Sequence, residues 1–240
     1  MTITRNTFKL GEDWLSSSTA IGISKGEMKV VLTKDTRNKI TDSSKIVTAI
    51  VEKGEAVYGI NTGFGPLCTT KISKEETKIL QTNILKSHSV GVGAPIATEI
   101  AKLMLILKAQ SLAKGYSGIA VTTLERIIWH IEHDAIPVVP SQGSVGASGD
   151  LAPLSHLFLP LIGLGKVIYK GTVIETAKLF KITGIAGLTL GPKEGLALIN
   201  GTQFIAAHAV KVVEKLHNIL TQADIIGAMM VEGLQGSVKP

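Results

Sequence analysis

The sequence predicts a mainly α-helical protein with one small β-hairpin. Apolar residues recur at helical spacing through most of the 240 residues, and the longest such stretch runs from residue 202 to about 233. Strand-like patterns are confined to short runs at residues 28–32 and 166–174. We therefore expect an N-terminal domain over residues 1–199, followed over residues 200–240 by the first long helix of a central helical bundle, truncated at the chain end.

The first two predicted helices have recognisable ends. Residues 41–54 place apolar side chains on one face and end at Gly54, a residue that commonly follows the last turn of a helix. Residues 73–88 open with Ser73 and, three residues later, Glu76, which is the spacing of a capping box. Both segments therefore favour amphipathic helices that cover a core.

The next segments predict a buried centre. Residues 97–115 are apolar on nearly every side, so this helix should lie deep in the protein. Residues 120–137 are amphipathic and must stop before Pro137. Residues 150–163 predict a fifth helix, and the Lys-Gly turn within residues 166–174 predicts the hairpin.

Composition excludes several classes of partner and site. The net charge is +6, but the basic residues are spread singly and aromatic residues make up 4%, so we expect no nucleic-acid partner. The one cysteine, Cys68, excludes an internal disulfide and a zinc-ribbon site, and it fits a reducing compartment. The sequence offers neither a signal peptide nor an apolar run long enough for a membrane helix. We expect a cytoplasmic protein with no membrane, metal or nucleotide partner.

A glycine-rich loop, "QGSVGASGDLAP" at residues 142–153, is the most unusual segment. Gly143, Gly146 and Gly149 lie three residues apart. The spacing matches neither the dinucleotide fingerprint, nor a P-loop, nor the G-x-S-x-G nucleophile elbow. A tight turn with Asp150 as the N-cap of the following helix and an anion cradle both remain open.

A third interpretation of the loop is chemical. In Ala147-Ser148-Gly149, the amide nitrogen of Gly149 can attack the carbonyl carbon of Ala147 and close a five-membered ring. Loss of water from the ring and from the Ser148 side chain then leaves an exocyclic methylidene. The product is an electron-poor alkene, an electrophile that no ordinary side chain offers, so the chain would make its own cofactor.

Three further motifs each have an ordinary and a functional interpretation. Tyr58 begins the glycine-rich stretch "VYGINTGFGPL", which is either a connection with a packed tyrosine or a lid that delivers a phenol as acid or base. His88 ends a helix before Gly91 and is either a capping residue or a ring-binding residue. Asn200-Gly201 is either a helix break or an amide held toward a site.

Together these motifs resemble the aromatic amino acid ammonia-lyase family, and within it the histidine branch. The resemblance is carried by residues 58–65, Ser87-His88, residues 143–154 and residues 194–203, and it runs through most of residues 40–240. It implies an N-terminal domain that bears 4-methylidene-imidazol-5-one (MIO), formed by Ala147-Ser148-Gly149. It also implies that Asp150 supports ring formation and that Asn200 hydrogen-bonds the ring carbonyl.

The remaining two site residues concern the substrate. By the same resemblance, Tyr58 is the acid/base residue of a mobile loop, and His88 lies where members of the family contact the ring of the substrate. Phenylalanine-type members carry Phe-Leu and tyrosine-type members His-Leu at that position, whereas Ser87-His88 matches the histidine branch. A site built to hydrogen-bond an imidazole can reject an analogue lacking those nitrogens by on the order of 10⁴-fold.

The implied reaction converts L-histidine into trans-urocanate and ammonia, after the substrate amine has added to the MIO alkene. The family also implies a homotetramer whose sites combine several subunits, and this chain corresponds to the N-terminal half. A C-terminal half would complete the site with a second Tyr, an Arg for the carboxylate and a Glu. Two alternatives stay open: another MIO enzyme (a phenylalanine or tyrosine lyase or an aminomutase), and an inactive fragment or oligomerisation module.

Overall fold

The part of the chain that the structure describes forms a helical body with three small sheets. The computed structural model describes residues 6–54, 56–62, 74–146, 149–237 and 239. Within them the helices are α1 Ser17–Ser24, α2 Lys34–Lys53, α3 Lys74–His88, α4 Thr98–Ala113, α5 Val121–Glu132, α6 Leu151–Phe158, α7 Thr176–Thr183, α8 Glu194–Ile199 and α9 Gln203–Gly233. The strands are β1 Asn6–Lys9, β2 Met28–Val31, β3 Val92–Pro95, β4 Ile136–Pro137, β5 Pro140–Gln142, β6 Lys166–Tyr169 and β7 Thr172–Glu175. The predicted mainly α-helical class is confirmed.

Helix α4 lies at the centre of the main hydrophobic core. Its residues 100–106 are buried without interruption, and α1, α2, α5, α9 and β4 pack around it. A helix that is apolar on nearly every side must be enclosed by other elements to be stable, which is what its sequence predicts. Lys102 and Lys108 are the two charged residues buried on it.

Several helix ends differ from the prediction. Helix α2 begins at Lys34, earlier than expected, because the Thr33 side chain caps it by accepting a hydrogen bond from the Thr36 amide at 3.1 Å. Helix α5 ends at Glu132 rather than near Pro137. Its chain turns at Asp134, which has a left-handed φ of 49°, and then continues as β4. The prediction of a helix up to Pro137 was wrong at that end.

The small sheets bring distant segments together. The predicted hairpin is β6 paired antiparallel with β7, and Lys170 and Gly171 form its turn with left-handed φ values of 50° and 75°. Strand β4 pairs with β6 as a third strand, and β1 pairs in parallel with β2, the strand predicted near residues 28–32. Strand β3 pairs antiparallel with β5, so the segment after His88 lies beside the start of the glycine loop.

Helix α9 confirms the long helix predicted after residue 202. Its first turns pack on the core through Phe204, Ala207 and Val210. Farther along, its apolar side chains are exposed at Val212, Val213, Leu216, Ile219, Leu220, Ile225, Ile226, Met229, Met230 and Val231. None of the helices in the described ranges is long and apolar enough to cross a membrane.

Candidate active site

The glycine loop closes in a tight turn. The Gly149 amide donates to the Gly146 carbonyl oxygen at 2.5 Å, and the Val145 amide donates to the Gly149 carbonyl oxygen at 3.1 Å. A β-carbon on Gly149 would lie 2.5 Å from the Gly146 oxygen and would overlap the Val145 side chain, so only glycine fits. The two residues inside this turn, Ala147 and Ser148, lie outside the described residues.

Asp150 ties the loop to the start of α9. Its carboxylate is fully buried, and Oδ1 accepts from the Ser144 hydroxyl at 2.6 Å. Its Oδ2 accepts from the amides of Phe204 and Ile205 at 3.0 and 3.2 Å. Asp150 occupies the N-cap position of α6, but its side chain makes no capping bond there. The carboxylate instead caps α9, where the positive end of the helix dipole favours a negative charge.

Asn200 lies directly beside the loop. It follows α8, and its neighbour Gly201 forms a parallel bridge with Gly149. The side chain of Lys108 reaches this point from α4 and donates to the Asn200 carbonyl oxygen at 2.6 Å. Lys108 is 2% exposed, and burial lowers the pKa of its amine to about 7. The backbone of Asn200 is therefore held from both sides, by Lys108 and by the Gly149–Gly201 bridge.

The Tyr58 segment lies against α8. A β-carbon on Gly59 would be 2.5 Å from the Cδ2 atom of Leu196, so the backbone after Tyr58 packs directly on this helix. Leu196 lies one helical turn before Asn200, and the Asn200 amide donates to its carbonyl oxygen. Tyr58 itself is 58% exposed. The rest of its motif, from Gly63 onward, lies outside the described residues.

His88 is held at the end of α3 with one ring nitrogen engaged. Its Nδ1 lies 2.9 Å from the Ile84 carbonyl oxygen and 3.1 Å from the Ser87 hydroxyl. A carbonyl oxygen can only accept, so in the neutral imidazole the proton lies on Nδ1 and Nε2 is left as an acceptor. An acceptor at this position suits a ligand ring that carries an N–H group.

Three contacts bring the His88 segment to the loop and the helix that follows it. Strand β3 pairs with β5 at Val92 and Gln142, and a β-carbon on Gly143 would lie 3.2 Å from the Gly91 α-carbon. The Gly91 amide also donates to Nε2 of His156 on α6 at 3.0 Å. The segments that contain Tyr58, His88, the glycine loop and Asn200 therefore form one contiguous cluster of α3, α6, α8 and the start of α9.

The larger clefts of the described chain lie elsewhere. One of about 680 Å³ is lined by Lys25, Lys29, Lys102, His133, Asp134 and neighbouring residues and contains none of the predicted site residues. A cleft of about 220 Å³ does reach the site and is lined by Lys108, Ser111, Tyr116, Ser117, Lys193, Leu196, Ala197 and Asn200. Within the described ranges, no three His, Cys, Asp or Glu side chains are grouped as metal ligands. We assign the site from the motif contacts rather than from cleft size.

A sequence profile described as aromatic amino acid lyase matches residues 15–240. The chain belongs to the aromatic amino acid lyase family. The family resemblance seen in the motifs is therefore confirmed.

Two solved structures and one curated relative show the extent of the similarity. Histidine ammonia-lyase of Shouchella clausii is 46% identical over 211 residues, which are 88% of this chain and 42% of that protein. The crystal structure of histidine ammonia-lyase from Trypanosoma cruzi matches with a TM-score of 0.88 at 33% identity, over 96% of this chain and 45% of that one. Tyrosine aminomutase from Streptomyces globisporus matches with a TM-score of 0.87, also at 33% identity, over 94% of this chain and 42% of that one. The chain thus spans about two fifths of the length of these relatives.

In this family member, Glu194 has a structural role in the described contacts. Its buried carboxylate accepts from the Ala120 amide at 2.9 Å, the Thr123 hydroxyl at 2.6 Å and the Gly191 amide at 2.6 Å. It therefore joins the start of α5 to the start of α8. Within the motif at residues 194–203, Glu194 therefore supports the fold, whereas Asn200 lies at the candidate site.

Sequence reasoning missed three supporting residues: Lys108, Ser144 and His156. Lys108 carried a signal, because a lysine in the middle of a helix that is apolar on every side must find a partner when it is buried. The Ser144–Asp150 contact spans six residues, which is not the spacing of a capping box. His156 carried no signal, because its partner is a backbone amide distant in sequence. All three hold other residues of the site in place.

Proposed function

We propose that this chain provides the N-terminal part of an ammonia-lyase that eliminates ammonia from L-histidine to give trans-urocanate. The observation that supports it best is the meeting of four motifs around the Gly149–Gly201 bridge in a member of the aromatic amino acid lyase family. The relatives named histidine ammonia-lyase support the substrate, and so does the acceptor nitrogen of His88.

The loop fits the MIO group that the family resemblance implies. Its turn between Gly146 and Gly149 is already tight, and Gly149, whose nitrogen would close the ring, has no room for a side chain. Asp150 and Ser144 hold both ends of the loop through one hydrogen bond at 2.6 Å. Formed from Ala147, Ser148 and Gly149, the group would supply an electrophilic alkene for the substrate amine.

The chain's own residues would then divide the work around the substrate. Nε2 of His88 accepts a hydrogen bond from the ring N–H of histidine and fixes the ring position. Tyr58, which is exposed on a segment packed against α8, would take a proton from the substrate in its phenolate form. Asn200 lies next to the bridge with Gly149, and its amide would hydrogen-bond the carbonyl oxygen of the MIO ring.

The substrate carboxylate needs an arginine partner that the described site does not supply. An unpaired buried carboxylate costs several kcal/mol, and arginine is its natural bidentate partner. Arg37 pairs with Glu125 at 2.5 Å, and Arg126 donates to the Ala186 carbonyl oxygen at 2.6 Å. Arg5 lies outside the described residues. We therefore assign the carboxylate partner to a C-terminal portion or to another subunit.

The assembly and the domain division belong to the same proposal. The exposed apolar side chains of α9 beyond residue 211 would pack against the further helices of a bundle, in a homotetramer. Residues 1–199 then form the domain that bears the MIO loop, and residues 200–240 begin the bundle. The single Cys68 suits a reducing, cytoplasmic compartment.

Tyrosine aminomutase is a second candidate because its structure matches as well as that of a histidine ammonia-lyase. An aminomutase would return a β-amino acid instead of releasing ammonia. Both activities would use the same electrophile, so only the identity of the product distinguishes them.

The test compares substrates and products in two proteins. One of them is a chimaera in which this chain is joined to the C-terminal portion of the Shouchella clausii relative, and we call this chimaera the full-length enzyme. Histidine, phenylalanine and tyrosine are assayed for the absorbance of the unsaturated acid and for β-amino acid product. We expect histidine deamination in the full-length enzyme and at least about tenfold less, ~1.4 kcal/mol in the barrier, in the 240-residue chain alone. A preference for phenylalanine or tyrosine, or β-amino acid as the main product, would contradict the assignment.

A further inference from the structure

His156 is a histidine on α6 that the proposed chemistry does not use. We propose that His156 is a positioning residue: its Nε2 accepts the Gly91 N–H and thereby holds the segment that carries His88 against the helix that follows the glycine loop. The inference rests on the proposed function for its catalytic consequence. The contact itself is a property of the fold and can be tested separately.

The contact is close and leaves little room for a side chain on its partner. The Gly91 nitrogen lies 3.0 Å from Nε2 of His156. A β-carbon on Gly91 would lie 3.1 Å from Cδ2 and 3.2 Å from Nε2 of the imidazole, and 3.1 Å from the Gln142 carbonyl oxygen. A side chain there would require the imidazole or the Gln142 backbone to shift by a few tenths of an ångström.

The direction of the hydrogen bond determines the form of the imidazole. A backbone N–H can only donate, so Nε2 must carry its lone pair and the ring proton must lie on Nδ1. The ring is half-buried, and burial lowers the pKa of His156, which keeps the neutral, accepting form at neutral pH. If the ring were protonated, its Nε2–H would face the Gly91 N–H, and neither group could accept a hydrogen bond.

The Gly91–His156 hydrogen bond, called the clamp below, links the segment that carries His88 to the part of the site around the glycine loop. His88 is held on one side by the Ile84 carbonyl oxygen of its own helix, and β3 is held to β5 on the other. Between them, the Gly91–His156 bond adds a side-chain tie to α6, which also packs against α3 and whose first residue, Leu151, follows Asp150 directly. This bond therefore contributes to the distance between the ring-binding His88 and the loop. Losing it should weaken recognition of the substrate ring more than the elimination step.

Two variants separate hydrogen bonding from packing. His156→Gln keeps a side-chain oxygen that can accept from Gly91, whereas His156→Leu fills the space without an acceptor. His133→Leu is the matched control, since His133 is an exposed histidine whose described hydrogen bond is to Trp129 of its own helix. All three are made in both the 240-residue chain and the full-length enzyme.

The first readout, hydrogen–deuterium exchange of the peptide that contains Gly91, needs no activity. We expect exchange at least about tenfold faster in His156→Leu and near wild type in His156→Gln and His133→Leu. The second is kcat/KM for histidine in the full-length enzyme, with a fall of about tenfold or more for His156→Leu, mostly through KM, and at most about threefold for His156→Gln.

Two results would overturn the clamp: unchanged exchange at Gly91 in His156→Leu, or equal impairment of His156→Gln and His156→Leu in both readouts. If wild-type full-length enzyme fails to deaminate histidine, the proposed function is wrong, and the exchange measurement alone decides whether His156 holds Gly91.

Discussion

Replacing Asp150 with alanine should damage both the stability of the chain and the glycine loop. The fully buried carboxylate accepts three hydrogen bonds, from Ser144, Phe204 and Ile205. Asp150→Ala leaves two amides at the first turn of α9 and one hydroxyl without their acceptor. It also releases Ser144, and with it the loop residues before the turn at Gly146.

The size of the effect follows from those contacts. Each hydrogen bond to a charged group contributes about 1.5–3 kcal/mol, and loss of a helix cap costs about 1 kcal/mol. Removing the charge also removes the cost of burying it, which offsets part of the sum. We expect a net loss of about 3 kcal/mol, or a fall in Tm of about 6–12 °C.

Asp150→Asn provides an internal comparison. Its amide oxygen can still accept from Phe204 or Ile205, and its NH₂ can donate to the Ser144 hydroxyl, so we expect a loss of only about 1 kcal/mol. Asp42→Ala is the control, because Asp42 is exposed on α2 and pairs with an exposed Lys45. Such a surface pair contributes about 0–1 kcal/mol.

The assay is urea unfolding of the 240-residue chain followed by circular dichroism, with intact mass measured on the same samples. The expected order of stability is wild type and Asp42→Ala together, then Asp150→Asn, then Asp150→Ala. Loss of water from the loop should be reduced in Asp150→Ala. An Asp150→Ala protein as stable as Asp42→Ala, with the same mass change as wild type, would refute the role assigned to this carboxylate.

Three further predictions concern other parts of the structure. Gly149→Ala should prevent ring formation, because its β-carbon would meet the Gly146 oxygen at 2.5 Å, and intact mass should show no loss of water. Burial lowers the pKa of His130 to about 4. As the pH falls, the unfolded chain therefore takes up a proton on His130 before the folded chain does. Stability should be full above about pH 6.5 and fall by about 3 kcal/mol toward pH 4 in urea titrations, and His130→Gln should flatten this dependence. Replacing Ser87-His88 by Phe-Leu in the full-length enzyme should lower kcat/KM for histidine relative to phenylalanine, and an unchanged ratio would make His88 structural.

Elements defined by their own pattern could be predicted from the sequence. Helix α4 is apolar on every side and is buried, and α9 keeps helical periodicity for its whole length. The hairpin follows from two short strand patterns around Lys170-Gly171. The motifs of the site were recognised in the same way, because each is a local run of residues.

Features that depend on long-range contacts could not be predicted. One open interpretation made Asp150 the N-cap of its own helix, α6, but its carboxylate binds amides of α9 more than fifty residues away in the chain. Helix α5 was predicted too long because Ile136 and Pro137, at the end of the predicted segment, form β4 and pair with β6, a tertiary preference that overrides the amphipathic pattern. The contact between His156 and Gly91 involves a backbone amide, which leaves no mark in a sequence motif.

The most direct test of the central claim is the intact mass of the purified protein, followed by mass mapping of the peptide that contains residues 142–153 and by histidine deamination of the same full-length sample. The MIO assignment predicts that wild type lacks the mass of two water molecules within that peptide and is active. It predicts that Ser148→Ala folds, does not lose both waters and has no lyase activity. Wild-type protein at its full sequence mass with undiminished histidine deamination, or ample activity in Ser148→Ala, would contradict it.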